Sequence, residues 1–160
     1  MIDVSELEGM ARKFGEASGR LRPFMGGVLE EAGDEFLEIV QDEIMRAQNV
    51  DTRLMLDSFS RGSGYNVFEL DLGGLRLTVG TRVEYAKWVN SGHSQRPGRF
   101  VPGIWRGGRF FYTPGAKTGM VLKASRVDGS GFFDKAAETL RRMFPQIAGA
   151  RFQGFVDRYL

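Results

Sequence analysis

The chain has 160 residues, of which 42% are hydrophobic and 26% charged, with 22 basic and 20 acidic side chains. That length supports one domain with its own core, and the composition argues against disorder. The absence of Cys removes disulfides, thiolate nucleophiles and thiolate metal sites, and no apolar run reaches the ~18–20 residues of a membrane span.

The N-terminus, Met1-Ile2-Asp3-Val4-Ser5-Glu6, has neither a basic nor an apolar leader region, so no signal peptide is read. Asp3 and Glu6 form a capping pair, and Leu7, Met10 and Phe14 follow at helical spacing, which predicts a short helix over 4–16. Residues 19–27, containing Pro23 between glycines, read as a linker. A long amphipathic helix is expected over 28–48. Its apolar stripe is Leu29, Ala32, Phe36, Ile39, Val40, Ile44 and Ala47, and Glu31, Asp34, Glu35, Glu38 and Asp42 form its solvated face.

Asp51-Thr52 can cap another short helix carrying Leu54, Met55 and Phe59. From Asn66 the period changes to two: Phe68, Leu70 and Leu72, then Leu75, Leu77 and Val79 after Gly73-Gly74. A Gly-Gly pair between alternating runs predicts a hairpin closed by a type I′ turn, whose central residues both need positive φ. Residues 84–91 can form a helical turn burying Tyr85, Trp88 and Val89. The next stretch is rich in Gly and Pro, and Phe100-Val101 is expected to pair with Arg109–Tyr112 around Arg106-Gly107-Gly108. Residues 120–127 read as a strand joining the first hairpin in one sheet under the two long helices. From Phe132 a helical face of Phe133, Ala136, Ala137, Leu140 and Phe144 follows, and Pro145 opens a further helix to Leu160. The order implies an α+β fold: a mostly antiparallel sheet of about four strands packed with a long N-terminal helix and C-terminal helices. Residues 1–160 form a single domain in this reading, with 94–115 as a long loop or small hairpin.

Charge is polarised along the chain. Between Arg82 and Arg126 lie nine basic side chains (Arg82, Lys87, Arg96, Arg99, Arg106, Arg109, Lys117, Lys123, Arg126) and one acid, Glu84. The first 52 residues hold twelve acids and five bases. Opposite poles on one molecule suit head-to-tail association of copies, because complementary potentials steer such contacts. The residues Arg96, Arg99, Arg106 and Arg109 interleave with Phe100, Trp105, Phe110, Phe111 and Tyr112. Arg with Trp and Tyr makes protein-interface hot spots. The same mixture suits single-stranded nucleic acid through charge and stacking, and aromatics can also pin a long loop to a core. The expected interface residues are Arg96, Arg99, Trp105, Arg106, Arg109 and Phe111.

Catalytic constellations are missing from the pattern. His93 is the only histidine, so no His pair or multi-His metal site is available in one chain, and a loop histidine without catalysis is expected. Asp51 with Asp57, or Glu69 with Asp71, could be called a Mg²⁺ pair, but a solvated hairpin face accounts better for the second. The stretch Gly103–Gly108 lacks the Lys-Ser/Thr of a phosphate loop. No enzyme, cofactor or metal is expected.

Several segments resemble one family. Thr52-Arg53-Leu54 with Ser58 is similar to the T-G-x-L-x-x-S segment of phage head–tail joining and tail-completion proteins. Residues 79–93, Val79-Gly80-Thr81 through Tyr85-Ala86, Val89 and Gly92-His93, resemble that family's V-G-T-x-x-x-Y-A-x-x-V-x-x-G-H/T signature. Residues 119–133, ending Val127-Asp128-Gly129-Ser130-Gly131-Phe132-Phe133, resemble its closing strand and the start of its last helix. Two departures stand out: Arg53 where the pattern has Gly, and a longer, more aromatic loop after Ser94. The resemblance implies a structural virion assembly protein, a homo-oligomer, often a hexameric ring, at the head-proximal end of a tail. Such a ring is a tail terminator or joins the tail at the neck. The implied partners are the tail-tube protein and the head connector or stopper protein, with DNA in the ring lumen left open and no membrane. It implies a site in the virion, after synthesis in the bacterial cytoplasm, and no catalytic residue. The alternative reading is a single-stranded nucleic-acid-binding module using loop 94–113.

Overall fold

The computed structural model describes residues 4–47 and 53–160, with side chains from residue 8 onward. The fold is α+β: a long N-terminal helix, a long C-terminal helix and antiparallel β-structure between them. The described residues cluster into two compact units, 1–86 with 132–160, and 87–131. The caps expected at Asp3–Glu6 and Asp51-Thr52 lie outside the described residues.

The first unit is built on helices α1 (Val4–Arg46) and α4 (Phe132–Tyr159). Each was expected as two segments broken at a proline, and each is one helix with Pro23 or Pro145 inside. Proline removes one backbone donor and crowds the carbonyl four residues back, which disfavours but does not forbid continuation. Packing offsets that cost. On either side of Pro23, Arg20 lies over the ring of Tyr159 at 5.0 Å and Phe24 packs on Phe155 at 4.6 Å. The partner of α1 thus spans the weak turn, and Gly19, at the crowded carbonyl, brings no side chain. Further along, Phe36 meets Phe133 edge-on at 5.1 Å, so the helices run antiparallel. Arg151 donates through Nε to Glu31 Oε2 at 2.6 Å. No residue from 8 to 16 is buried, and Met10 and Phe14 are exposed.

Strands β1 (Asn66–Asp71) and β2 (Arg76–Thr81) form the first hairpin, from Asn66↔Thr81 to Asp71↔Arg76. The hairpin was expected; its turn differs. Four residues, 72–75, make the loop, and the left-handed position is Leu75 (φ 46°) while neither Gly73 nor Gly74 has positive φ. Asp71 Oδ1 accepts the Gly73 N–H at 2.9 Å, an Asx-type closure. The hairpin packs on α1 at two glycines. A Cβ on Gly33 would stand 2.5 Å from Leu77 Cδ2 and 2.8 Å from Phe68, and one on Gly26 would overlap Leu72. Seven residues apart, the two glycines lie on one side of α1.

A short helix, α2 (Leu54–Asp57), sets Met55 and Phe59 into the core and leaves Leu54 exposed. Arg53 precedes it with φ 61°, the left-handed conformation that favours glycine. This is the position at which the family pattern carries Gly. Downstream, the Thr81 hydroxyl donates to Ser58 Oγ at 2.7 Å, and Ser58 donates to the Met55 carbonyl at 2.7 Å. Buried Asn66 donates to the carbonyls of Ser58 (3.0 Å) and Gly80 (3.3 Å). The Ser of one motif and the Thr of the other therefore meet in a polar lock.

The second unit contains β3 (His93–Ser94), β4 (Phe100–Arg106), β5 (Arg109–Tyr112), β6 (Gly119–Val121) and β7 (Arg126–Val127). The expected single sheet of about four strands is instead three small antiparallel sheets: β1-β2, β3-β7 and β5-β4-β6. The stretch 120–127 does not join the first hairpin. Its start pairs with β4 and its end with β3, separated by residues 122–125. Residues 84–91 do hold a helix, α3 (Ala86–Ser91), but Tyr85 and Trp88 are exposed and Ala86 is the buried residue.

Candidate functional site

The second unit begins and ends at one closure. Ser130 donates through N–H and Oγ to the Val89 carbonyl at 2.9 and 3.1 Å, and the Gly131 N–H donates to Asn90 O at 2.9 Å. Gly92 (φ 73°) and Gly129 press backbone to backbone: a Cβ on either would overlap main-chain atoms of the other crossing. The glycines in the V-x-x-G-H and D-G-S-G segments are thus required by this closure. His93 pairs through its backbone with Val127, its ring 6.3 Å from Trp88. Its Nδ1 is buried without a hydrogen-bond partner among the described residues. The unit's one acid, Asp128, is 3.5 Å from Arg126. No group of three His, Cys, Asp or Glu is placed to hold a metal ion among the described residues.

Beyond the closure stands the β5-β4-β6 sheet. Its β4–β5 hairpin turns through Gly107 (φ 54°) and Gly108 (φ 78°), with Arg106↔Arg109 as the last pair. Here the two positive-φ glycines of a type I′ turn occur, not at Gly73-Gly74. Pairing within β4 is divided. Gly103 to Arg106 pair with β5, whereas Phe100-Val101, expected opposite β5, pair with Val121 and Met120 of β6.

Residues opposite one another in an antiparallel pair share a face, and successive pairs alternate. Val101, Gly103, Trp105, Phe110 and Tyr112 therefore occupy one face, together with Met120. Phe100, Ile104, Phe111 and Val121 occupy the other, with Arg106 and Arg109 at its tip. Trp105 is 60% exposed and Tyr112 66%, while Phe100, Phe111 and Val121 are each about half exposed. Trp105 touches Phe110 edge-on at 5.4 Å, and Gly103 leaves room for the Phe110 ring. Every buried hydrophobic side chain among the described residues belongs to the first unit. Phe100, Trp105, Phe111 and Tyr112 are exposed, while Phe110 is partly covered.

Of the six residues singled out from sequence, Arg106, Arg109 and Phe111 share a face, and Trp105 lies on the opposite one. Arg96 and Arg99 sit in the exposed turn before β4, where the Arg99 N–H donates to the Arg96 carbonyl and the Leu122 N–H to Arg99 O. Sequence reasoning named Phe100 and Tyr112 among the interleaved aromatics without placing them in the expected interface, and it did not single out Val121. The signal that could have found them is alternation itself, since large apolar residues at both parities of one strand pair leave neither face polar. The unit holds eight basic side chains and one acid, so the remainder of the chain carries an excess of acids. In the first unit, an open groove of about 690 Å³ runs between α1 and α4, lined by Arg20, Arg151, Arg158 and Tyr159 among others. Hydrogen bonding from Arg158 and then Arg20 lowers the Tyr159 pKa below its ordinary 10.0.

Residues 8–92 match the family described as "Bacteriophage HK97-gp10, putative tail-component". The chain is 44% identical over 135 residues to the uncharacterized protein YqbI of Bacillus subtilis (strain 168), covering 80% of this chain and 81% of that one. It is also 44% identical over 118 residues to the phage-like element PBSX protein XkdI of the same organism, covering 72% and 73%. No solved structure matches. No helix among the described residues is long and apolar enough to cross a membrane. The family match spans more than half of the chain. The chain belongs to the HK97-gp10-like family of bacteriophage tail components, structural proteins of the virion rather than a class of enzymes.

Proposed function

We infer that this protein assembles into a closed ring, hexameric in the form the family resemblance suggests, at the head-proximal end of a phage tail. There it ends growth of the tail tube or joins the tail to the head connector. The observation that carries this reading is the β5-β4-β6 sheet. It presents Trp105 and Tyr112 on one face and Phe100, Phe111 and Val121 on the other, and its unit buries no hydrophobic side chain. A 45-residue stretch of this kind exposes more apolar surface than a free monomer favours. Partners covering both faces account for it, and a ring component has a partner on each side. Arg96, Arg99, Trp105, Arg106, Arg109 and Phe111 are the interface residues in this reading.

Native mass by light scattering, with and without the cognate tail-tube protein, tests it. A defined multiple of the 17.9 kDa chain, formed alone or on mixing, is expected. A monomer that stays monomeric with the tube protein and binds single-stranded DNA tightly at physiological salt overturns it.

A further inference from the structure

We propose that the Phe100/Phe111/Val121 face of the β5-β4-β6 sheet, led by Arg106 and Arg109, docks on the acidic stripe of α1 in a second copy. This rests on the ring reading and names the contact that closes the ring. On α1, Glu31, Glu35, Glu38, Asp42 and Met45 recur at intervals of four, three, four and three, which places them on one side of the helix. Glu38, Asp42 and Met45 are exposed. Carboxylates four residues apart on a helix repel one another. Glu31 is already paired with Arg151 of its own chain, whereas the exposed pair Glu38–Asp42 costs its own copy stability that a cationic partner offsets. On the sheet, the pairing Arg106↔Arg109 concentrates two guanidinium groups at the tip of one face, with apolar side chains behind them. The stripe presents the complement in the same order: carboxylates, then the half-exposed thioether of Met45, a side chain suited to aromatic contact.

The surfaces differ, so the contact is heterologous. Such contacts repeat head to tail and close into rings when the rotation permits. A second copy is the occupant favoured by charge, because one chain carries both halves. The opposite sheet face, with Trp105 and Tyr112, has no basic pair and is not part of this contact.

The test is a reciprocal charge reversal read by native mass. Arg106→Glu with Arg109→Glu, and separately Glu38→Lys with Asp42→Lys, should each raise the concentration needed for assembly at least about tenfold. All four reversed positions are exposed, and unchanged thermal unfolding of each variant confirms an intact fold. An equimolar mixture of the two variants, or one chain carrying all four changes, should assemble again. Assembly that survives either reversal overturns the contact while leaving the ring reading intact. Loss in both without rescue also overturns it, since the sheet then docks elsewhere. A wild-type chain that remains monomeric with the tail-tube protein overturns both.

Discussion

The two units use aromatic residues in opposite ways. In the first, Phe59 and Phe132 are fully buried and lie 5.9 Å apart, Phe36 and Phe133 extend that cluster, and Phe155 packs on Phe24 in a second one. In the second, Phe100, Trp105, Phe111 and Tyr112 are exposed, and no hydrophobic side chain among its described residues is buried. Burial of a Phe contributes about 1.5–3 kcal/mol to the fold that buries it. The same ring left on a surface contributes nothing to the monomer and is available to an interface. The first unit thus folds by its aromatics, and the second leaves its own exposed, as the proposed assembly role requires.

Substitution separates these roles. The largest effect is expected in the first unit: Phe36→Ala should lower unfolding free energy by about 3–5 kcal/mol in chemical denaturation, because the edge contact with Phe133 and the sealed space around it are both lost. A loss below about 1 kcal/mol would remove Phe36 from the core. Trp105→Ala in the second unit should instead change monomer stability by no more than about 0.5 kcal/mol, while weakening assembly by about 2 kcal/mol. Should the stability loss match that of Phe36→Ala, the contrast between the units collapses.

A middle-sized effect probes the helix–hairpin contact. Gly33→Val sets a branched side chain where Leu77 and Phe68 already sit, and overpacking of that kind should cost about 1–3 kcal/mol. A thermal melt equal to wild type would mean that the hairpin stands farther from α1 than it does here.

A gain is expected at Arg53. Its φ of 61° strains any residue with a Cβ, so Arg53→Gly should stabilise the chain by about 0.5–1 kcal/mol, restoring the residue of the family pattern. The smallest effect is spectroscopic. Tyr159 should lose its phenolic proton below the ordinary pKa, and Arg158→Ala or Arg20→Ala should shift that titration upward, read from ultraviolet absorbance against pH. The sign follows from charge, since both guanidinium groups favour the phenolate.

Much of the fold was legible because periodicity reports local burial. The apolar stripe of α1, the alternation over 66–81 and the helical face from Phe133 to Phe144 all correspond to elements of the structure. The prolines misled because propensity is a local quantity. Pro23 and Pro145 are breakers in an isolated helix, but each sits where α1 and α4 lie alongside one another, and packing along both flanks outweighs one missing hydrogen bond. The strands from 100 to 127 misled for a related reason. Short runs separated by Gly and Pro do not state their pairing, so β6 and β7 read as one strand although they serve different sheets.

The sequence by itself determined the α+β class and the charge polarity, because each depends only on which residues are present and at what spacing. Tertiary structure alone decided which aromatics are core and which are surface. Phe59 stands among polar neighbours, Asp57, Ser58, Ser60 and Arg61, and Phe111 between Phe110 and Tyr112, yet Phe59 is sealed against Phe132 and Phe111 is about half exposed. The difference lies in whether a second layer covers the element that carries each ring, and that is set by long-range packing, which no local pattern contains.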